Sequence, residues 1–172
     1  MNQQAIDNAR LIAQDLWAID QLFTHQEFLI LQNLLKKENC WTKVDLQSRL
    51  PRQECCWATD GVCDWLWTSF SALDFSKFEL KFRTVTVWRD MPGYRIGNHV
   101  DNDRVVAAMQ IYISEPRSGL GTWFNDTIEV PFVPNTGYLM HNRNRPVHGM
   151  KIPVPEDYVR ESLYAWFDQA KS

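Results

Sequence analysis

Residues 81–114 read KFRTVTVWRDMPGYRIGNHVDNDRVVAAMQIYIS. Both ends of this stretch are dense in β-branched and aromatic residues, the composition that fits a pleated, half-buried surface. They predict strands over 81–89 and 104–114, with a further strand over 94–100 after the turn at Met91-Pro92-Gly93. Further downstream the same texture predicts strands at 121–125, 128–132, 137–141, 147–152 and 161–168. Turn formers at Glu115-Pro116, Asn125-Asp126 and Pro134-Asn135-Thr136-Gly137 separate them. So many short strands, with no helical stretch between them to serve as a parallel crossover, predict a mainly β fold. The expected architecture is a double-stranded β-helix, or jelly roll, over 79–168.

Upstream of that core the reading changes. Ile6, Leu11, Ile12, Leu16 and Ile19 recur at roughly helical spacing, which predicts a helix over 4–18. A second helix opens at Thr24, where Thr24 and Glu27 form a T-x-x-E capping box ahead of Phe28, Leu31, Leu34 and Leu35. Lys36 and Lys37 sit where the helix dipole favours cations. The aromatic cluster Trp57, Trp65, Trp67 and Phe70 predicts a third helix over 57–73. Residues 1–78 therefore read as a helical support region, and the 172 residues as a single domain with N-terminal helices packed on the barrel.

Composition narrows the function classes. A hydrophobic fraction of 45% and an aromatic fraction of 13% describe a chain that folds around a core. Eighteen basic against 21 acidic residues, a net charge of −3, argue against a surface built to neutralise nucleic-acid phosphates. The opening MNQQAIDNAR has no basic n-region followed by an apolar run, and no uncharged apolar stretch approaches a membrane span. Cys40, Cys55, Cys56 and Cys63 lack the paired C-x-x-C spacing of a zinc site and read as reduced thiols, which predicts a cytoplasmic protein without a membrane partner.

Two of the four histidines lie where a metal site needs them. His99-Val100-Asp101 is an H-x-D pair, and in an extended chain residues i and i+2 share a face. His148 follows later, in Arg145-Pro146-Val147-His148-Gly149. Two imidazoles and one carboxylate on one face of an ion leave three octahedral positions open, the arrangement of non-haem Fe(II) oxygenases. His141 is a rival distal ligand, although it lies in the polar stretch His141-Asn142-Arg143-Asn144-Arg145. Twelve residues past His148 comes Arg160, then Ser162 and Leu163-Tyr164-Ala165-Trp166-Phe167. Alternation sets Arg160, Ser162, Tyr164 and Trp166 on one face of that strand and Leu163, Ala165 and Phe167 on the other.

The ordered set H-x-D, His, R-x-S resembles that of the Fe(II)/2-oxoglutarate-dependent oxygenases, most closely their prolyl-4-hydroxylase-like branch. HVDNDRVVAAMQIYIS (99–114) resembles the family's iron-binding strand and its successor, and LGTWF (120–124) a glycine-containing strand in mid-barrel. PNTGY (134–138) is similar to the turn before the distal histidine, and IDQLFTHQEF (19–28) to the opening of the branch.

The resemblance implies that His99, Asp101 and His148 hold Fe(II) and that 2-oxoglutarate and dioxygen take the open positions. It further implies that Arg160, Ser162 and Tyr112 hold the far carboxylate of 2-oxoglutarate, with Gln110 on the same face as Tyr112. A planar, permanently charged guanidinium suits that role. The implied reaction hydroxylates a C–H bond of a peptide or small-molecule substrate and releases succinate and carbon dioxide; Asp101 favours hydroxylation, since related halogenases lack that carboxylate. Two other readings stay open: a non-catalytic, cupin-like binding barrel, and a nucleic-acid demethylase of the same fold. Tyr112 and Trp166 also read as plain core aromatics.

Overall fold

The structure is a computed structural model that describes residues 1–37, 41–43, 51–55 and 61–170. Its first element is not the long helix expected over 4–18. A five-residue helix, α1 (Gln3–Asp7), is capped by the Asn2 side chain, which accepts from the Gln4 N–H at 3.1 Å. The chain then forms a hairpin of β1 (Arg10–Ala13) and β2 (Leu16–Asp20), turning through Asp15 at φ 58°. The helical spacing of Ile12, Leu16 and Ile19 is real, but β2 is drawn into the main sheet by its ladder with a later strand. Tertiary backbone pairing outweighs the weak local preference. Ile19 then packs on the helical side of the sheet and Leu16 on the other.

The second helix, α2 (His25–Lys37), begins as predicted. The Thr24 N–H donates to Glu27 Oε2 at 2.9 Å, and the Glu27 N–H donates to Thr24 Oγ1 at 3.3 Å. Two short strands follow where only helix was expected, β3 (Trp41–Lys43) and β4 (Arg52–Cys55). The predicted third helix is α3 (Val62–Ser71), which buries Val62, Cys63, Leu66 and Phe70. Trp57 lies outside the described residues, as do Cys40 and Cys56. The Cys63 thiol contacts the Cys55 carbonyl oxygen at 3.9 Å. Among the described residues no helix is long and apolar enough to cross a membrane.

The barrel strands are β5 (Leu80–Asp90), β6 (Ala107–Tyr112), β7 (Thr122–Phe124), β8 (Ile128–Val130), β9 (Thr136–His141), β10 (His148–Gly149) and β11 (Arg160–Gln169). An antiparallel eight-stranded sheet runs β1-β2-β9-β6-β11-β5-β4-β3, and a three-stranded sheet runs β10-β7-β8. The fold is mainly β, a jelly roll with helices on one face. The strand expected over 94–100 contracts to one antiparallel bridge, His99 with His148, and 147–152 contracts to the two residues of β10.

The large sheet divides two cores. Leu163, Ala165 and Phe167 pack with α2 and α3 on one side, while Tyr164 and Trp166 pack with Leu120, Phe124 and Val130 between the sheets. The predicted alternation along β11 holds. Gly137 allows β9 and β6 to meet closely, since a Cβ there would lie 1.8 Å from the Gln110 carbonyl oxygen.

Candidate metal centre

His99 and His148 are cross-strand partners at the edge of the small sheet. Each donates its backbone N–H to the other's carbonyl, at 2.9 and 2.8 Å, and the ring centroids lie 4.3 Å apart. Gly149 keeps this contact tight: a Cβ there would stand 2.7 Å from the Gly97 carbonyl oxygen and 2.9 Å from the Asn98 nitrogen. Two residues beyond His99, Asp101 Oδ1 lies 3.7 Å from His99 Nε2 and 3.6 Å from His148 Nε2. Donors on one first-row ion, each at about 2.0–2.2 Å, are at most about 4.4 Å apart, so both spacings suit a shared ion. Among the described residues this is the one cluster of three metal-ligand side chains.

The surroundings set the chemical form of each donor. His99 Nδ1 lies 3.0 Å from the Gly97 carbonyl oxygen, and His148 Nδ1 lies 3.0 Å from that of Pro146. A carbonyl accepts only from a protonated Nδ1, so in the neutral tautomer of each ring Nε2 carries the lone pair, on the side of Asp101. Burial lowers the His148 pKa, against the opposing pull of the Pro146 carbonyl and Asp101, which keeps the ring in the neutral, ligating form. The Tyr164 hydroxyl donates to Asp101 Oδ2 at 2.9 Å, leaving Oδ1 toward the imidazoles. Burial first, then Asp101, raises the Tyr164 pKa well above its ordinary value, so the hydroxyl keeps its proton. Two imidazoles and one oriented carboxylate are the donor types of a facial triad.

The centre opens on a cavity of about 190 Å³ between the sheets, which also reaches Gln110, Thr122 and Arg160. Arg160 is buried. Its Nε donates to the Leu120 carbonyl at 3.0 Å and its Nη1 to Asp90 Oδ2 at 2.6 Å. Ser162 and Tyr112 stand one step behind the wall. Gln110 Nε2 donates to Ser162 Oγ at 2.9 Å, and the Tyr112 hydroxyl donates to Thr122 Oγ1 at 2.8 Å. Gln110 and Thr122 are therefore the groups that present this polar network to the cavity, together with Tyr138, whose hydroxyl donates to Gln110 Oε1 at 3.0 Å.

His141 lies on the other side of the large sheet. Its ring meets Trp17 edge-on at 5.6 Å and its Nε2 lies 3.0 Å from the Phe78 carbonyl oxygen, so it is no part of the cluster. Sequence reasoning missed Tyr164 as the partner of Asp101, and it missed Asp90 and Arg52. The signal for Asp90 was the alternation Thr86, Trp88, Asp90 on one face of β5.

No protein-family model matches the sequence, and no curated protein matches it. Solved structures do. A prolyl hydroxylase from Trichoplax adhaerens, in complex with a peptide fragment of the hypoxia inducible factor oxygen degradation domain, superposes with a TM-score of 0.74 at 13% identity, over 97% of this chain and 89% of that one. The fold is that of the 2-oxoglutarate/Fe(II) oxygenases. A Pseudomonas putida prolyl-4-hydroxylase gives 0.67 at 13% identity over 97% and 98% of the two chains. The viral collagen prolyl hydroxylase of Paramecium Bursaria Chlorella virus-1, in its 2OG complex, gives 0.61 at 17% over 89% and 95%. The family resemblance read from the sequence thus agrees with the oxygenase fold, and the prolyl hydroxylases among these neighbours match the branch.

Proposed function

We propose that this chain is an Fe(II)- and 2-oxoglutarate-dependent dioxygenase that hydroxylates a C–H bond of a peptide or small-molecule substrate, releasing succinate and carbon dioxide. One observation carries the reading: His99, Asp101 and His148 converge with both Nδ1 atoms tied to carbonyls, at the mouth of a cavity that also reaches a buried arginine. With bound 2-oxoglutarate and dioxygen, Fe(II) would supply the oxidising chemistry, which is the cofactor's own.

The chain's residues do the rest. The Gly97 and Pro146 carbonyls hold protons on the two Nδ1 atoms, which leaves Nε2 as the donor atom of each neutral ring. Tyr164 holds Asp101 in one orientation. Arg160 lies deeper in the cavity and offers charged N–H groups to the far carboxylate of 2-oxoglutarate, with Gln110 and Thr122 beside it. Tyr112 and Ser162 support that wall through Thr122 and Gln110. His99, about one-third exposed, marks the side from which a substrate approaches.

The test is succinate release. Purified protein with Fe(II), 2-oxoglutarate and air should form succinate slowly without substrate and faster with the right member of a panel of proline peptides, amino acids, sugars and nucleotides. Formation should stop under nitrogen and in Asp101→Ala. Absence of turnover across the panel, with iron bound normally, would indicate a non-catalytic barrel.

A further inference from the structure

Arg160 does not wait alone in the cavity. Arg52 on β4, Asp90 on β5 and Arg160 on β11 are direct cross-strand partners in neighbouring strands. One carboxylate serves both guanidinium groups. Asp90 Oδ1 accepts from Arg52 Nε at 2.5 Å, and Oδ2 accepts from Arg160 Nη1 at 2.6 Å. Asp90 is fully buried, Arg160 nearly so, and the Arg52 side chain is only 13% exposed. The Arg52 guanidinium is held against the Trp88 ring at 4.0 Å and the Tyr94 ring at 4.2 Å, which fixes its plane. Both arginines line the same cavity as the metal centre.

The charge count decides what this trio can bind. Arg160 with Asp90 alone is a neutral pair, and an incoming carboxylate would meet Asp90 as well as Arg160. Arg52 brings the trio to a net +1, and among the described residues neither arginine has another ion-pair partner. A buried, uncompensated cation is costly, so the trio is built for one further anionic group.

We propose that Arg52, Asp90 and Arg160 together form a one-carboxylate subsite, in which Arg52 supplies the net charge and Asp90 holds both guanidinium groups in place before the ligand arrives. This rests on the reading of the chain as a 2-oxoglutarate enzyme and adds to it. Arg52, from a strand near the sheet edge, is a binding residue equal in weight to Arg160, and Asp90 limits affinity by competing with the ligand for the same donors. Lysine at 52 keeps the charge but loses the planar stack on Trp88 and Tyr94.

The test is titration of 2-oxoglutarate into the full chain loaded anaerobically with Mn(II). Arg52→Gln should weaken binding at least tenfold while Mn(II) affinity and melting temperature stay near wild type, and Arg52→Lys should fall between the two. Asp90→Asn, which raises the net charge, should tighten binding several-fold, and the double variant should return close to wild type. That opposed pair is a result which loss of packing would not produce. If Arg52→Gln binds 2-oxoglutarate as wild type does while Arg160→Ala loses it, Arg160 acts alone and the subsite proposal falls, with the functional reading intact. If Asp90→Asn weakens binding as much as Arg52→Gln, charge balance is not the principle and the proposal also falls. If the wild type itself binds no 2-oxoglutarate, the functional reading falls first.

Discussion

Replacing Tyr164 by phenylalanine removes one oxygen atom and isolates what the second layer of the centre contributes. In the native structure that hydroxyl donates to Asp101 Oδ2 at 2.9 Å, while the ring stacks on Trp88 with centroids 4.4 Å apart. Phenylalanine keeps the stack, so the fold should stand. What is lost is one hydrogen bond to a carboxylate that is itself mostly buried. Hydrogen bonds to charged groups contribute about 1.5–3 kcal/mol, and each 1.4 kcal/mol is about a factor of ten in affinity. Tyr164→Phe should therefore weaken metal binding about 10–100-fold, the range typical of groups that orient a metal ligand. The assay is anaerobic titration of Fe(II), or of Mn(II) followed by electron paramagnetic resonance, with the melting temperature recorded in parallel. A variant that binds either ion as tightly as wild type would refute the assignment of Tyr164 as the residue that orients Asp101.

Arg160→Ala should weaken 2-oxoglutarate at least about tenfold, since truncating one member of a desolvated charge pair costs about 2–5 kcal/mol, with Arg160→Lys between; calorimetry of the Mn(II) protein reads both. Gly149→Ala should push the 97–98 segment away from β10, lowering metal affinity and melting temperature together, because the new Cβ meets backbone rather than a movable side chain. Burial, then Arg143, holds the His141 pKa below its ordinary value in the folded chain. Below about pH 6.5 the unfolded chain therefore takes up a proton that the folded chain refuses, and stability falls as pH drops through that range. His141→Gln should flatten this part of the urea-midpoint profile between pH 7 and 5.

The H-x-D pair of the proposed centre was legible because its spacing is short, and the family resemblance implied the distal histidine and the R-x-S as its companions. An H-x-D pair in extended chain has one geometry, and a distal histidine followed by R-x-S on an alternating strand leaves little freedom in where each side chain faces. The T-x-x-E cap at Thr24 was equally local. The misreading of 4–18 has the opposite cause. Nothing within those residues reports the partner of β2, which is β9, some 120 residues later in the chain. The same limit hid the trio around Asp90. Arg52 and Arg160 meet that carboxylate only through the order β4-β5-β11, and no spacing within any one strand encodes it. Ser162 and Tyr112 show a third limit. Their face and neighbourhood were predictable, but whether a hydroxyl meets the cavity or a neighbouring side chain depends on packing at the scale of single atoms.

The most direct test of the proposed centre is the visible absorption of the anaerobic protein with Fe(II) and 2-oxoglutarate. The wild type should show the weak charge-transfer band of 2-oxoglutarate chelated to Fe(II), His99→Ala and His148→Ala should lose it, and His141→Ala should keep it. A band that survives in His148→Ala, or that vanishes in His141→Ala while the fold is intact, would contradict the placement of the metal.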